Sequence, residues 1–190
     1  QDSLVASVAV EDLLNPPTAI IEPVRNLSLK PSPEQKPSGS IQEKVKQFFQ
    51  NPQFASKRWI YEQYDHTLLT NTVIPPGIGA SMIRIKGTDQ YLGVTLISNG
   101  RNSAINPYVG VQTTIAQCAR RISALGLIPS AITNCLNFGD PNLPHTRWEL
   151  SQTVEGMREI LEAMEIPVVS GNVSLYNEGI HKRIYPTPTI

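Results

Sequence analysis

The chain of 190 residues carries 16 basic and 16 acidic side chains, so it has no net charge and no electrostatic footprint for nucleic acid or an anionic membrane surface. No apolar run approaches the ~20 residues that a spanning helix needs, and the N-terminus shows no basic-then-apolar leader, so neither a membrane anchor nor a signal peptide is expected. Cys118 and Cys135 are the only cysteines and lack metal-like spacing, which reads as reduced thiols in a cytoplasmic protein.

Residues 1–40 differ from the rest. Pro16, Pro17, Pro23, Pro31, Pro33 and Pro37 are mixed with Ser, Glu and Lys, the composition of an extended linker or of the tail of a preceding domain. The apolar stretch 4–14 reads as a strand or helix left over from such a domain. A short helix follows over 41–49, ended by Asn51-Pro52. Ser56 stands where it would cap a second one through Trp59, Ile60 and Gln63. An extended stretch at 70–73 is interrupted by Pro75-Pro76-Gly77. Residues 82–86 then alternate apolar and polar, Gly87-Thr88-Asp89 is a turn signal, and 91–97 is the next apolar run, so the two pair as a hairpin.

Val111, Ile115, Cys118, Ile122 and Leu125 recur at spacings of four and three, the stripe of an amphipathic helix, with Gly126 where a C-terminal cap belongs and Pro129 soon after. A second stripe follows at Leu150, Val154, Met157, Leu161 and Met164. Each helix leads into a short apolar strand, at 130–133 and 166–170. Strands alternating with one-sided helices indicate an α/β or α+β sandwich.

Each of those strands runs into a segment of Asn, Gly and Ser: Asn134-Cys135-Leu136-Asn137-Phe138-Gly139-Asp140 and Gly171-Asn172-Val173-Ser174. Loops of this kind present backbone N–H groups and small polar side chains at strand ends, which suits phosphate and magnesium. Separated by one helix, the two segments are expected to converge on one ligand. Gly171 allows close backbone approach, Asn172 offers an oxygen to a hard cation, and the Ser174 hydroxyl bonds a phosphate or substrate. Asn134 would contact a nucleotide. The competing reading is plain turn chemistry, for which Gly-Asn is common. Arg101, ahead of the first long helix, is either an anion contact at a helix N-terminus or, more often in such loops, an arginine without a role. Tyr64-Asp65-His66 reads as packing and hydrogen bonding, and His145 and His181 have no partner in the sequence.

The run Ala55-Ser56-Lys57-Arg58-Trp59-Ile60-Tyr61-Glu62-Gln63-Tyr64-Asp65-His66, followed by Thr70-Asn71-Thr72-Val73, resembles phosphoribosylformylglycinamidine synthase. Asn99-Gly100-Arg101, Leu136-Asn137-Phe138-Gly139, the segment from Ser170 to Asn177, and Tyr185-Pro186-Thr187-Pro188 do the same, in the same order with compatible spacing over roughly residues 50–190. The resemblance implies an ATP-dependent ligase of purine biosynthesis. In that reaction the amide oxygen of formylglycinamide ribonucleotide is phosphorylated and ammonia derived from glutamine displaces the phosphate. It also implies a fold: an α+β two-layer sandwich over 41–190, with a mixed sheet and helices on one face, like the N-terminal domain of aminoimidazole ribonucleotide synthetase. The chain resembles the first domain of the second half of the synthetase, pairing with its equivalent in the first half.

By the same resemblance Asn134 and Gly171 contact ATP, Asn172 binds magnesium and Ser174 contacts the ribonucleotide. Implied partners are the remaining domains of the synthase and a glutaminase domain or subunit. Three positions depart from the family: Asn134 and Asn106 stand where aspartates are usual, and Val111 where a second glycine is common. The family's catalytic histidine and acidic magnesium ligands belong to the first half. No catalytic residue is therefore expected in this segment, and it should be inactive alone. The rival readings are a truncated or diverged paralogue serving as a binding module, and aminoimidazole ribonucleotide synthetase itself. The Leu136-Asn137-Phe138-Gly139 and Tyr185-Pro186-Thr187-Pro188 motifs count against the latter.

Overall fold

Each apolar stripe of the sequence falls on a helix in the computed structural model, which describes residues 7–14, 39–180 and 183–190. The first stripe is buried at Val111, Ile115 and Cys118, whereas of the second Met157 and Leu161 are buried and Val154 and Met164 stay exposed. Most of the Pro-rich segment, and with it the linker expected over 1–40, lies outside the described residues. Within it Val10–Leu14 is a short helix, α1.

Helix α2 (Ile41–Gln50) starts where the sequence predicts, because Ser40 and Glu43 form a reciprocal capping box. The Ser40 hydroxyl accepts from the Glu43 N–H at 3.2 Å and the Glu43 carboxylate accepts from the Ser40 N–H at 2.8 Å. The next helix, α3 (Arg58–Tyr61), corrects the expectation for Ser56 and Gln63. Its N-cap is Lys57, without a side-chain cap bond among the described residues; Ser56 Oγ accepts from the Arg58 N–H, at 3.4 Å. Gln63 lies past its end, donating from Nε2 to the Trp59 carbonyl.

Strand β1 (Thr72–Ile74) begins two residues later than expected, because Leu68–Thr70 form a 3₁₀ turn with left-handed φ of 59° at Leu69 and 57° at Thr70. The predicted hairpin is present: β2 (Ser81–Arg84) pairs antiparallel with β3 (Tyr91–Val94), from Ser81 opposite Val94 to Arg84 opposite Tyr91. With β1 they make a three-stranded sheet of order β1-β2-β3.

The segment read as a loop before the first long helix is largely helical. Asn99 caps α4 (Gly100–Ile105) and Asn106 caps α5 (Pro107–Ala124), each accepting with Oδ1 from a backbone N–H three residues on, at 3.1 Å. Both residues look like turn formers in sequence because the same side-chain acceptor serves turns and caps. Helix α5 ends as predicted at Leu125, with Gly126 at φ 77°. Helix α6 (Pro144–Met164) starts six residues ahead of its apolar stripe, with Pro144 in the first turn, where a missing N–H costs nothing.

A second three-stranded sheet carries the motifs. Its strands are β4 (Ile132–Asn137), β5 (Val168–Ser174) and β6 (Thr187–Thr189), in the order β5-β4-β6. Strands β4 and β5 are parallel and joined through α6, whereas β6 runs antiparallel to β4. This is the expected mixed sheet with helices on one face, although the strands divide into two sheets. The segments 134–137 and 171–174, expected as loops, continue the strands. Their backbone groups pair with each other across the sheet, and that pairing overrides the turn preference of Asn, Gly and Ser.

The core lies between α5, α6 and this sheet. Val111, Ile115 and Cys118 of α5 meet Leu136 of β4, Phe138 just beyond it, and Met157 and Leu161 of α6, closed by Ile97, Ile166 and Ile190. The helices cross closely at Gly156, where a Cβ would stand 2.5 Å from the Tyr108 carbonyl oxygen. Val111 is fully buried in this core, so the departure from a glycine there is a packing choice.

Candidate functional site

Parallel pairing sets the two motifs side by side in register: Asn134 opposite Gly171, Cys135 opposite Asn172, Leu136 opposite Val173 and Asn137 opposite Ser174. The two segments expected to converge lie on adjacent strands. Alternation along a strand then divides the four predicted site residues between the two faces of the sheet.

Asn134 shares the helix-covered side with Leu136 and Phe138, and its Nδ2 donates to Met157 Sδ of α6 at 3.8 Å. Its carboxamide lies over Gly171, where an added Cβ would stand 2.5 Å from Asn134 Oδ1. Gly171 is therefore bare because Asn134 occupies the space a side chain would need. Asn172 and Ser174 come together on the open side. There they stand beside Cys135 and Asn137 of β4, which in turn pair with Thr189 and Thr187 of β6. Asn137 Nδ2 donates to the Thr187 carbonyl at 3.1 Å and the Cys135 carbonyl at 3.0 Å, tying β4 to β6. Ser98 bridges to Thr189 and widens this floor of small polar side chains. Such a surface presents hydroxyl and carboxamide groups of both donor and acceptor type to a polar ligand.

The far end of the floor is pinned by the turn after β5. Tyr176 takes a left-handed φ of 58° and donates its N–H to the Gly139 carbonyl, while the Asn177 N–H bonds the Phe138 carbonyl. Glu178 Oε1 accepts from the Asp140 N–H at 2.9 Å. Asn177 Nδ2 reaches the Phe138 carbonyl at 3.0 Å, the Ser174 carbonyl at 2.8 Å and Ser174 Oγ at 3.1 Å. Beneath, Arg183 pairs with the buried Glu149 of α6. None of Asn177, Glu149 and Arg183 was singled out from sequence. The one visible signal was the spacing of Thr146, Glu149, Thr153 and Gly156, a small polar stripe along α6.

The remaining candidates do not join this site. Arg101 sits exposed in the first turn of α4. Asp65 Oδ1 accepts from the Thr67 N–H at 2.8 Å and His66 Nδ1 donates to the Tyr64 carbonyl, local bonding of the kind expected. His145 has a buried Nε2 without a hydrogen-bond partner among the described residues, and His181 lies outside them. Burial pushes the Cys118 thiol above its ordinary pKa, against a smaller lowering by Arg121.

Among the described residues no group of three His, Cys, Asp or Glu could hold a metal ion, and no helix is long and apolar enough to cross a membrane. Magnesium is bound mainly through carboxylates, phosphates and water. The neutral oxygen of Asn172 could fill one position in such a shell, and the charged ligands would have to come from other residues or from phosphate.

Residues 77–190 match the family model described as AIR synthase related protein, N-terminal domain. The phosphoribosylformylglycinamidine synthase subunit PurL of Caldanaerobacter subterraneus subsp. tengcongensis is 42% identical over 169 residues, which is 89% of this chain and 23% of that protein. Among solved structures, PurLQS from Thermotoga maritima aligns with a TM-score of 0.72 at 32% identity, over 99% of this chain and 29% of that one. T. maritima PurL complexed with ATP aligns at 0.62 with 36% identity, over 71% and 22%. The chain spans about a quarter of the length of the curated relatives it matches.

Proposed function

This chain belongs to the AIR synthase related protein family as its N-terminal domain, and from that premise we propose that it is one domain of a cytoplasmic phosphoribosylformylglycinamidine synthase. In this reading Asn134 and Gly171 contact ATP, Asn172 supplies a magnesium ligand and Ser174 contacts formylglycinamide ribonucleotide. The remaining domains supply the catalytic and acidic groups, and a glutaminase domain or subunit supplies ammonia. Magnesium, when bound, neutralises charge on the transferring phosphoryl group. The contribution of this chain is to hold and orient its reactants on a rigid sheet. The observation that carries the reading is the register of β4 on β5, which sets Asn172 and Ser174 together on the open polar face and Asn134 over Gly171 on the opposite face of the same two strands.

Asn106 no longer weighs against activity, because its cap bond to the Val109 N–H is one an aspartate would make equally well. Asn134 favours the second reading, a non-catalytic module. Its amino group is engaged with Met157, and no carboxylate stands at this point to attract a metal or a ribose hydroxyl. The test is ADP release by the intact polypeptide that carries this chain. Release that requires both formylglycinamide ribonucleotide and ammonia or glutamine, and that falls at least tenfold in Asn172→Ala, supports the synthase. A full-length protein that releases no ADP under those conditions leaves the module reading in its place.

A further inference from the structure

We infer that Asn177 is a positioning residue for the Ser174 hydroxyl, an inference that rests on Ser174 touching the ribonucleotide substrate. Among the described residues, both side-chain contacts of Ser174 Oγ are to the Asn177 carboxamide, Nδ2 at 3.1 Å and Oδ1 at 3.3 Å. The orientation of that carboxamide is fixed by what surrounds it. Its amino end faces two backbone carbonyls, of Phe138 at 3.0 Å and of Ser174 at 2.8 Å. A carbonyl oxygen accepts and never donates, so the oxygen end of Asn177 cannot replace the amino end there. With both amino hydrogens taken by those carbonyls, the Ser174 hydroxyl donates to Asn177 Oδ1 at 3.3 Å and keeps its lone pairs for an incoming donor. Ser174 is thereby prepared for an N–H or O–H donor, which the amide and the ribose hydroxyls of a phosphorylated ribosyl amide offer.

The backbone holds Asn177 in this place. Tyr176 turns the chain back through its left-handed conformation, the Asn177 N–H bonds the Phe138 carbonyl at 3.1 Å, and the Ile184 N–H bonds the Asn177 carbonyl at 3.1 Å. Asn177 thus links the end of β4 to the end of β5, so the hydroxyl direction is set by the same contacts that fix the two strands together.

The experiment is calorimetric titration of the intact polypeptide with formylglycinamide ribonucleotide and, separately, with magnesium ATP, for wild type, Ser174→Ala, Asn177→Ala and the double variant. Loss of one hydrogen bond predicts up to about tenfold weaker ribonucleotide binding in Ser174→Ala. Asn177→Ala should lose the same amount, the double variant no more, and magnesium ATP affinity should stay within about twofold. Additive losses overturn the inference, as does an Asn177→Ala protein that binds normally or loses both ligands together. If Ser174→Ala binds the ribonucleotide as wild type does, the Ser174 reading itself has failed, and the inference falls with it. Asn177→Asp has the same shape but sets an oxygen against the Phe138 and Ser174 carbonyls, which drives the group off its place beside Ser174; it replaces the alanine variant if that one does not fold, with the same losses expected.

Discussion

The two faces of the β5-β4-β6 sheet come from one alternating run of residues and end in opposite environments. On the helix side Leu136 and Phe138 are sealed under α5 and α6, with Phe138 fully buried. On the open side the same strands present Cys135, Asn137, Asn172 and Ser174, and β6 adds Thr187 and Thr189. Apolar burial on one face supplies stability, and the other face keeps hydrogen-bonding groups that packing does not consume. Asn134 is where the division is crossed. It is a polar side chain on the apolar side, and Gly171 makes room for it.

The largest effect expected from this division is on stability. Phe138→Ala empties the centre of the core and should cost about 3–5 kcal/mol, read from the shift in a urea unfolding midpoint. Asn172→Ala, on the open face, should stay within about 0.5 kcal/mol while losing magnesium ATP affinity. Comparable losses of stability in the two variants would break the comparison.

Gly171→Ala tests the crossing point. The new methyl must displace the Asn134 carboxamide, a cost of about 1–3 kcal/mol for overpacking. In an Asn134→Ala background the obstacle is gone, and most of that cost should disappear in a double-mutant cycle. A cost that is unchanged would mean the backbone of β5, and not Asn134, excludes the side chain. Asn134→Asp is expected to cost less, about 1 kcal/mol. It removes the amino group facing Met157 Sδ and sets a half-buried carboxylate against a thioether that can only accept. Magnesium ATP affinity in the same variant should hold or tighten if Asn134 lies in the nucleotide site. Clear weakening by calorimetry would remove it from that site.

What could be read from the sequence followed from local physics. The stripes of α5 and α6 repeat within a few residues, and the hairpin and the Gly126 cap are signalled by neighbours in the chain. The misreadings share a different cause. Asn134 to Asn137 and Gly171 to Ser174 look like turns because Asn, Gly and Ser serve turns locally. Their fate as strands was decided by pairing with segments more than thirty residues away. Asn99 and Asn106 hid α4 in the same manner, since a cap and a turn use one side-chain acceptor. The Glu149–Arg183 pair joins residues 34 apart in sequence, and the role of Asn177 depends on carbonyls at the end of another strand. Only Glu149 has a spacing signal, the stripe it shares with Thr146, Thr153 and Gly156, and that stripe says nothing of its partner. The residue types of the candidate site were visible, but their division between two faces was not.

The two cysteines offer the finest test of that division, because each stands on one side of it. Cys118 is 7% exposed within the core, and its thiol donates to the Ile190 carbonyl at 3.6 Å, whereas Cys135 lies half-buried on the open face beside Asn172. At about pH 8, iodoacetamide should modify Cys135 first and reach Cys118 only as fast as the fold opens. Burial raises the folded Cys118 pKa, so the unfolded chain gives up this proton first. The contribution of Cys118 to stability is complete below the ordinary thiol value of about 8.5 and declines as pH rises from there through the folded value. Removing the thiol by Cys118→Ala should flatten that decline. Magnesium ATP seated at Asn172 would cover Cys135, so adding it should slow modification of Cys135 and leave Cys118 unchanged. Equal protection of both thiols would instead report a general tightening of the fold, and no protection would place the nucleotide away from the open face.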